Sequence, residues 1–262
     1  MDTVFNLIFT LSIPFRIAIG FACFFLANLI VAVLVLPLLL LPFRDLKKRA
    51  ISAVIRWTLY FQFIKIMSWL GAYTLDVKIS EKIDYKRPFI IVSNHISLLD
   101  PLILMSYIKN TGAVIKRRYT VILVVWLLVR VFDFIVVDEN TKNDPSEYVE
   151  KFSNVLKKRN VLIYPEGARS KAGRVADFKK SAFVIAKELN VDVVPVAVYS
   201  PKPMFTKDSV NMTGQARYCV RVMDPINPRE YKNASLLGRA ACGVICKTVD
   251  NLRHSFNNSY KA

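Results

Sequence analysis

The chain has 262 residues, of which 53% are apolar and 22% are charged, and this composition excludes disordered, collagen-like and low-complexity proteins. It carries 37 lysines and arginines against 20 acidic residues, a net charge of +17. Such a basic balance indicates a polyanionic partner: an anionic membrane surface, a phosphorylated substrate or nucleic acid. The mean hydropathy of +0.33 favours the membrane, and the sequence contains no recognisable nucleic-acid-binding module.

A long apolar segment near the N-terminus, Ile17 to Phe43, contains 27 consecutive uncharged residues. A helix needs about 20 apolar residues to cross a bilayer, so the segment is long enough to span one or to enter one leaflet. A cleaved signal peptide fits poorly, because Asp2 is the only charge before Arg16. Basic residues follow the segment directly: Arg44, Lys47, Lys48 and Arg49. By the positive-inside rule they put the rest of the chain on the cytoplasmic side of a membrane.

A second apolar stretch, Ile51 to Tyr73, contains only Arg56 and Lys65 as charged residues. It is compatible with a helix lying against the bilayer, or closing a hairpin with the first segment, and equally with a buried core helix. We predict membrane-anchoring helices over residues 1–72 and a separate domain over residues 73–262.

The few histidines and cysteines argue against a metal centre. None of the four cysteines has a partner at CxxC spacing, and the chain has only two histidines, His95 and His254. A metal site built from histidine and cysteine is therefore not expected. The sequence gives no indication of a bound cofactor and none of an oxidising compartment.

From residue 73 onward, short apolar or alternating runs predict strands, and longer stretches between most of them predict helices. The strand candidates are residues 75–80, Pro88–Ser93, Gly112–Ile115, Phe134–Asp138, Val161–Tyr164, Val193–Val198 and Arg217–Met223. The clearest helices are Pro145–Lys158, with Asp144 as N-cap, and about Ala234–Phe256. This alternation predicts an α/β domain with a largely parallel, mixed sheet flanked by helices.

Polar side chains follow several of these strands directly. Because parallel strands end at one edge of a sheet, where sites of α/β proteins form, we expect these side chains to converge there. They are Asn94, His95, Asp100, Lys116, Arg117, Arg118, Asp138, Glu139, Glu166, Gly167 and Arg169. One histidine, several carboxylates and a basic cluster suit general-base chemistry on a phosphorylated substrate.

The first motif runs from Asn94 to Asp100. A histidine can take a proton from a hydroxyl group near neutral pH, and a carboxylate beside it fixes its tautomer and stabilises the imidazolium. The five-residue spacing needs His95 in a loop and Asp100 at the start of a helix, where Asp100-Pro101 is typical of N-cap and first helical position. The alternative is that Asp100 is only a cap and His95 only a loop histidine.

The second motif runs from Tyr164 to Ser170. An arginine beside a glycine-containing turn, as Arg169 is beside Gly167, can donate two parallel hydrogen bonds to a phosphate. Lysines nearby add positive charge. The alternative for the downstream Lys179 and Lys180 is a solvated face or a contact with lipid headgroups.

Together the motifs resemble the signature of the glycerophospholipid acyltransferases, the family typified by 1-acylglycerol-3-phosphate (lysophosphatidate) acyltransferase. Asn94-His95-x4-Asp100 matches the family's Asn-His-x4-Asp block. Tyr164-Pro165-Glu166-Gly167-Ala168-Arg169-Ser170 matches its Phe-Pro-Glu-Gly-Thr-Arg-Ser block, and Val194-Pro195-Val196 matches its short last block. Order and spacing agree over about residues 88 to 198.

The resemblance implies an acyltransferase domain over residues 73–262. His95 would deprotonate the free glycerol hydroxyl with Asp100 orienting it, and the alkoxide would attack an acyl thioester, acyl-CoA or acyl carrier protein, without an acyl-enzyme. The resemblance also implies a set of substrate-binding residues, with Arg169 on the phosphate: Lys116, Glu166, Gly167, Arg169 and Ser170. No metal or cofactor is implied. The product would be phosphatidic acid and the partners would be membrane lipids, with the catalytic domain on the cytoplasmic face of the membrane.

The chain departs from the family at one position that bears on the substrate. Lys116 and Asp138 fit the family's second block, but Glu139 stands where its phosphate-side arginine is expected. A carboxylate there repels phosphate, so the alternatives are another lysophospholipid or lyso-lipid acceptor, or compensation by Lys116, Arg117 or Arg118. A non-catalytic membrane lipid binder would also explain the charge, but it would not need both His95 and Asp100.

Overall fold

The computed structural model describes residues 12, 13, 15–20, 22, 23 and 26, and then residues 63–121, 125, 126, 129, 133–138, 145–170, 174–209 and 216–259. Its strands are β1 (Tyr73–Ile79), β2 (Ile90–Ser93), β3 (Thr111–Lys116), β4 (Ile135–Val137), β5 (Asn160–Ile163), β6 (Val193–Tyr199) and β7 (Ala216–Val222). Its helices are α1 (Phe63–Trp69), α2 (Leu99–Tyr107), α3 (Pro145–Leu156), α4 (Ser181–Leu189) and α5 (Ala234–Ser259). Single 3-10 turns occur at Arg117–Tyr119 and Pro228–Glu230.

All seven strands join one sheet in the order β1-β7-β6-β2-β5-β3-β4. Neighbouring strands are parallel except β6 and β7, which are antiparallel. The five strands β6, β2, β5, β3 and β4 therefore end at the same edge. The predicted α/β class with a largely parallel, mixed sheet is confirmed, and the predicted strands lie within three residues of the observed ones at either end.

Apolar side chains fill both faces of the sheet, as expected for parallel strands covered by helices. On one face Ile64 of α1 and Ile103 of α2 join the same cluster as Ile91 of β2. On the other face Phe152 of α3, Phe183 of α4 and Ile245 of α5 pack against Val92 and Val161 of the sheet. This two-sided core holds the strand ends, and the loops that follow them, in fixed positions.

The N-terminal segments are described only in part. The described residues between 13 and 26 are mostly helical, and Ile17 is buried in the core beside Ile64 and Met67. Helix α1 packs on the sheet through Ile64 and Met67, whereas Lys65 and Trp69 are exposed, so both alternatives for this stretch stay open. Residues 27–62 lie outside the described residues, and the predicted anchor and domain boundary stay predictions. Within the part of the chain that the structure describes, no helix has the length and apolar character of a membrane span.

One predicted cap is wrong. Helix α2 begins at Leu99 with Leu98 in the N-cap position, and Asp100 lies inside the first turn. The aspartate instead reaches back to the preceding loop, where its carboxylate accepts main-chain hydrogen bonds. Helix α3 begins at Pro145 as predicted and ends at Leu156, two residues early. Its predicted cap, Asp144, is outside the described residues.

Candidate active site

The first motif leaves the carboxyl end of β2 and is tied to the neighbouring strand β6. Asn94 is buried, its side-chain nitrogen donates to the Val198 carbonyl, and its side-chain oxygen accepts from the Val198 N–H, both at 2.8 Å. These bonds continue the pairing of β2 and β6 beyond the last residue of β2. They fix the point at which the chain leaves the sheet, and therefore the position of the main chain of His95.

His95 and Asp100 form the centre of the site. Nδ1 of His95 lies 2.9 Å from Oδ2 of Asp100, with the histidine side chain 16% exposed and the aspartate fully buried. The same Oδ2 accepts from the N–H groups of Ile96 at 2.7 Å and Ser97 at 2.8 Å. A carboxylate at Nδ1 favours a proton on that nitrogen, which leaves Nε2 to accept one. The arrangement is that of a general base with an orienting carboxylate.

Glu166 and Ser170 hold the main chain of His95 from the loop after β5. Glu166 accepts from the His95 N–H at 2.7 Å through Oε1 and from the Ala176 N–H at 2.9 Å through Oε2. The N–H of Ser170 donates to the His95 carbonyl at 2.7 Å. Burial raises the pKa of Glu166, and the hydrogen bonds from Ala176, His95 and Ser170 oppose this rise. Glu166 thus holds the loop of His95 with both oxygens.

Gly167 and Lys179 are in close contact. Gly167 has φ +73°, and a Cβ placed on it would lie 3.0 Å from Nζ and 3.2 Å from Cε of Lys179. Only glycine adopts this backbone conformation without strain. The Lys179 N–H also donates to the Pro165 carbonyl at 3.0 Å. Lys179 is exposed, as predicted for a solvated residue, and the end of its side chain also lies over the turn of the second motif.

Arg169 is held by the loop that follows β6. Its Nη1 donates to the carbonyls of Phe205 at 2.9 Å and Thr206 at 2.7 Å. Both bonds use one nitrogen, so Nε and Nη2 are the atoms with which the guanidinium could hold a phosphate. Sequence reasoning missed this loop, because nothing in residues 203–206 marks it as part of the site.

The remaining candidates lie at the ends of the two outer strands. Lys116 ends β3 and is half-buried. Arg117, the next residue, pairs through Nε with Asp138 at 2.8 Å and so joins the ends of β3 and β4. Arg118 contacts the hydroxyl of Tyr119 at 3.3 Å. Glu139 lies outside the described residues.

Direct contacts join His95 to Asp100, Glu166 and Ser170. The basic residues at the end of β3, Lys116 to Arg118, lie farther along the same edge of the sheet.

A tyrosine next to the base was also missed as a site residue. Tyr164 precedes the glutamate of the second motif, and its ring stacks on that of His95 with centroids 4.0 Å apart and planes 19° apart. The sequence placed it at the end of a strand and at the start of the second motif, but gave it no role in the site. No group of three or more metal-ligating side chains occurs among the described residues.

The comparisons with known proteins agree with this geometry. Residues 74–199 match the family model described as Acyltransferase. The chain is 28% identical over 178 residues to the 1-acyl-sn-glycerol-3-phosphate acyltransferase of Borreliella burgdorferi, covering 66% of this chain and 71% of that protein. It is 25% identical over 166 residues to 1-acyl-sn-glycerol-3-phosphate acyltransferase alpha of Mus musculus, covering 61% and 57%. The matched regions thus cover between 57% and 71% of the length of these relatives.

A solved structure shows the same fold. The crystal structure of the 1-acyl-sn-glycerophosphate (LPA) acyltransferase of Thermotoga maritima superposes with a TM-score of 0.72 over 91% of this chain and 96% of that chain, at 21% sequence identity. The resemblance drawn from three short motifs is confirmed. The acyltransferase family model covers residues 74–199, which hold the histidine, the aspartate, the glutamate and the arginine described above.

Proposed function

We propose that the protein transfers a fatty acyl group from an acyl thioester to the free hydroxyl of 1-acylglycerol-3-phosphate, giving phosphatidic acid. The observation that carries the proposal is the His95–Asp100 pair, 2.9 Å apart, on the loop that Glu166 and Ser170 hold. The names of the relatives support the same reaction. The donor is either acyl-CoA or acyl carrier protein.

The chemistry follows from the orientation of the imidazole. With Nδ1 bound to Asp100, Nε2 takes the proton of the acceptor hydroxyl, and the alkoxide oxygen attacks the thioester carbonyl. The tetrahedral intermediate collapses as the C–S bond breaks, and the thiolate takes the proton back from His95. The only hydroxyl between His95 and Asp100 is that of Ser97, which is buried and donates to the Met204 carbonyl. This supports direct transfer without an acyl-enzyme.

The acceptor phosphate is proposed to bind on the basic side of the site. Arg169 offers Nε and Nη2, and the ammonium of Lys179 lies over the adjacent Gly167. Lys116 provides a further positive charge on the same edge of the sheet. Glu166 and Ser170 contribute by holding His95 in place, and Gly167 by the turn that its φ of +73° permits.

We further propose that the chain is attached to a membrane, with this site on the cytoplasmic face. The uncharged run Ile17–Phe43 and the net charge of +17 support attachment. Exposed apolar residues that follow Arg117 and Arg118 in the chain support a membrane-facing surface: Val121 is 85% exposed and Trp126 is 41% exposed. Basic and aromatic side chains are the usual pair at a bilayer interface.

The reaction is tested with the full chain in detergent, lysophosphatidate as acceptor and acyl-CoA or acyl carrier protein as donor. We expect transfer in the wild type and a loss of about 10²-fold or more in His95→Ala, because general-base catalysis contributes on this scale. His254→Ala is the matched control, since His254 lies exposed on α5. Equal rates in wild type and His95→Ala would refute the mechanism.

A second candidate acceptor is favoured by Glu139, whose carboxylate replaces a cation expected near the phosphate. The same chemistry on a lysophospholipid with a cationic headgroup would suit this carboxylate. A panel of lysophosphatidate, lysophosphatidylethanolamine and lysophosphatidylcholine separates the two. A preference for a cationic headgroup that Glu139→Arg reverses would establish the second candidate. No transfer to any acceptor from either donor would favour a non-catalytic lipid binder.

A further inference from the structure

The ring of Tyr164 lies directly against the base, and the mechanism above gives it no role. Val92 of β2 pairs with Ile163 of β5, so the residues just beyond these two strand ends lie side by side. This places Tyr164 next to the loop of His95, and the two rings stack with their planes 19° apart. A stacked neighbour restricts rotation of the imidazole about its ring-to-chain bond, since the ring can turn only by losing the contact.

Two buried polar atoms at this position have no hydrogen-bond partner among the described residues: Oη of Tyr164 and Oδ1 of Asp100. The first belongs to a hydrogen-bond donor and the second is an acceptor, so they are chemically complementary. Buried polar atoms in folded proteins are almost always satisfied, directly or through an ordered water molecule. Burial, and after it the negative charge of Asp100, raises the pKa of the Tyr164 hydroxyl, so this group keeps its proton and stays a donor.

We propose that Tyr164 is a positioning residue for His95: its ring fixes the plane of the imidazole, and its hydroxyl donates, directly or through one water molecule, to Oδ1 of Asp100. The inference rests on the proposed function, in which His95 is the base. A hydrogen bond to Oδ1 draws negative charge away from Oδ2, the oxygen that faces Nδ1. It therefore weakens the stabilisation of the imidazolium and favours the neutral, proton-accepting ring.

The other titratable and charged groups around His95 are already engaged elsewhere. Glu166 accepts from the main chain of His95, and Arg169 donates to the carbonyls of the loop after β6. The hydroxyl of Tyr218, on β7, donates to Oγ of Ser97. Replacing the Tyr164 hydroxyl leaves these contacts in place. The resembled motif begins with phenylalanine at this position, so Tyr164→Phe keeps the shape of the ring and removes only the hydroxyl.

The first experiment is an NMR titration of the full chain in detergent micelles with isotope-labelled histidine. The chain has two histidines, and His254→Gln assigns the signals. We expect the pH at which the His95 ring signals titrate to rise by about half a pH unit in Tyr164→Phe, because the carboxylate regains its full charge. Tyr231→Phe, which removes a hydroxyl far from His95, is the control. An unchanged or lower titration pH in Tyr164→Phe overturns the role of the hydroxyl.

The second experiment tests the ring. Tyr164→Leu removes the stacking as well as the hydroxyl, and we expect kcat to fall about tenfold or more while KM for the acceptor stays the same, because the base is less well oriented. An unchanged kcat in Tyr164→Leu overturns the role of the ring. The NMR titration needs no acyl transfer, so it judges Tyr164 even if the wild type transfers no acyl group. That outcome would count against the proposed function alone.

Discussion

At the scale of single residues, Asp100 does most to organise the site. One of its oxygens accepts from His95 Nδ1 and from two main-chain N–H groups, so the carboxylate both shapes the loop and orients the imidazole of His95. The loop has no regular secondary structure of its own between β2 and α2. Its conformation is held by this buried side chain together with the bonds from Glu166 and Ser170 and those of Asn94, Ser97 and Leu98.

Asp100→Asn keeps the shape of the side chain and removes its charge. We expect acyl transfer to fall about 10²- to 10⁴-fold, since the amide no longer stabilises the imidazolium. We expect the free energy of unfolding to fall by about 1–3 kcal/mol, because a buried donor replaces an acceptor. Steady-state kinetics and urea unfolding measure the two effects. Asp224→Asn, an exposed partner of Lys82, is the control, and equal effects in both variants would contradict the prediction.

Glu166 gives a prediction about pH. Its pKa is raised above the ordinary value of 4.5, first of all by burial, so the folded protein holds this proton more tightly than the unfolded chain. Its contribution to stability is therefore greatest below about pH 4.5 and declines as the pH rises through the folded pKa. Glu166→Gln removes the titration. As the pH rises through this range, the free energy of unfolding of the wild type, measured with urea, should decline relative to that of Glu166→Gln. The opposite trend would count against burial as the dominant influence on the pKa of Glu166.

At the scale of elements, the sheet order decides which loops meet. Because β2 lies between β6 and β5, the loop that carries His95 is reached from one side by the loop after β6 and from the other by the loop after β5. The first supplies the carbonyls that bind Arg169, and the second supplies Glu166, Arg169 and Tyr164. Each flanking loop is anchored in turn by its own strand in the core.

Two glycines of α5 give a matched pair of variants for the packing of this helix. A Cβ on Gly238 would lie 2.9 Å from a ring carbon of Phe183 in α4, whereas nothing lies within 4 Å of a Cβ on Gly243. We expect Gly238→Ala to destabilise the protein by about 1–3 kcal/mol through overpacking. Gly243→Ala should stabilise it by up to about 1 kcal/mol, since alanine is the better helix former. Thermal or urea unfolding tests both, and effects of the same sign would contradict the packing.

At the scale of the whole molecule, the positive net charge is too large to be assigned to the candidate active site alone. The net charge of +17 should draw the protein to anionic lipid surfaces, and this attraction is weakened by salt. The phosphates of the acceptor and of the membrane would be attracted by the same field.

We expect the full chain to float with vesicles containing anionic lipid and to do so less as salt rises from about 0.05 M to about 0.5 M, because the screening length shortens several-fold. With zwitterionic vesicles, salt should have little effect, and binding that remains would report the apolar segments alone. Vesicle flotation measures both. The electrostatic part of this prediction fails if salt changes binding to neither the anionic nor the zwitterionic vesicles.

The sequence by itself determined the class of fold, the order of the strands along the chain and the motifs from which His95 and Asp100 are proposed to act. These follow from local patterns: alternation and apolar runs for the strands, and the spacing of His95, Asp100, Glu166 and Arg169 for the motifs. Such patterns need only neighbouring residues. The apolar run Ile17–Phe43 is equally visible, and its role as an anchor stays a prediction.

Only the tertiary structure decided how the site is built. The order of strands across the sheet, and the antiparallel pairing of β6 with β7, depend on contacts between residues far apart in sequence. The same holds for Glu166 on the main chain of His95, for Arg169 on the carbonyls of Phe205 and Thr206, and for Tyr164 against the imidazole. The failure of Asp100 as a helix cap has the same origin, because a buried carboxylate turns to whichever donors the folded loop brings to it.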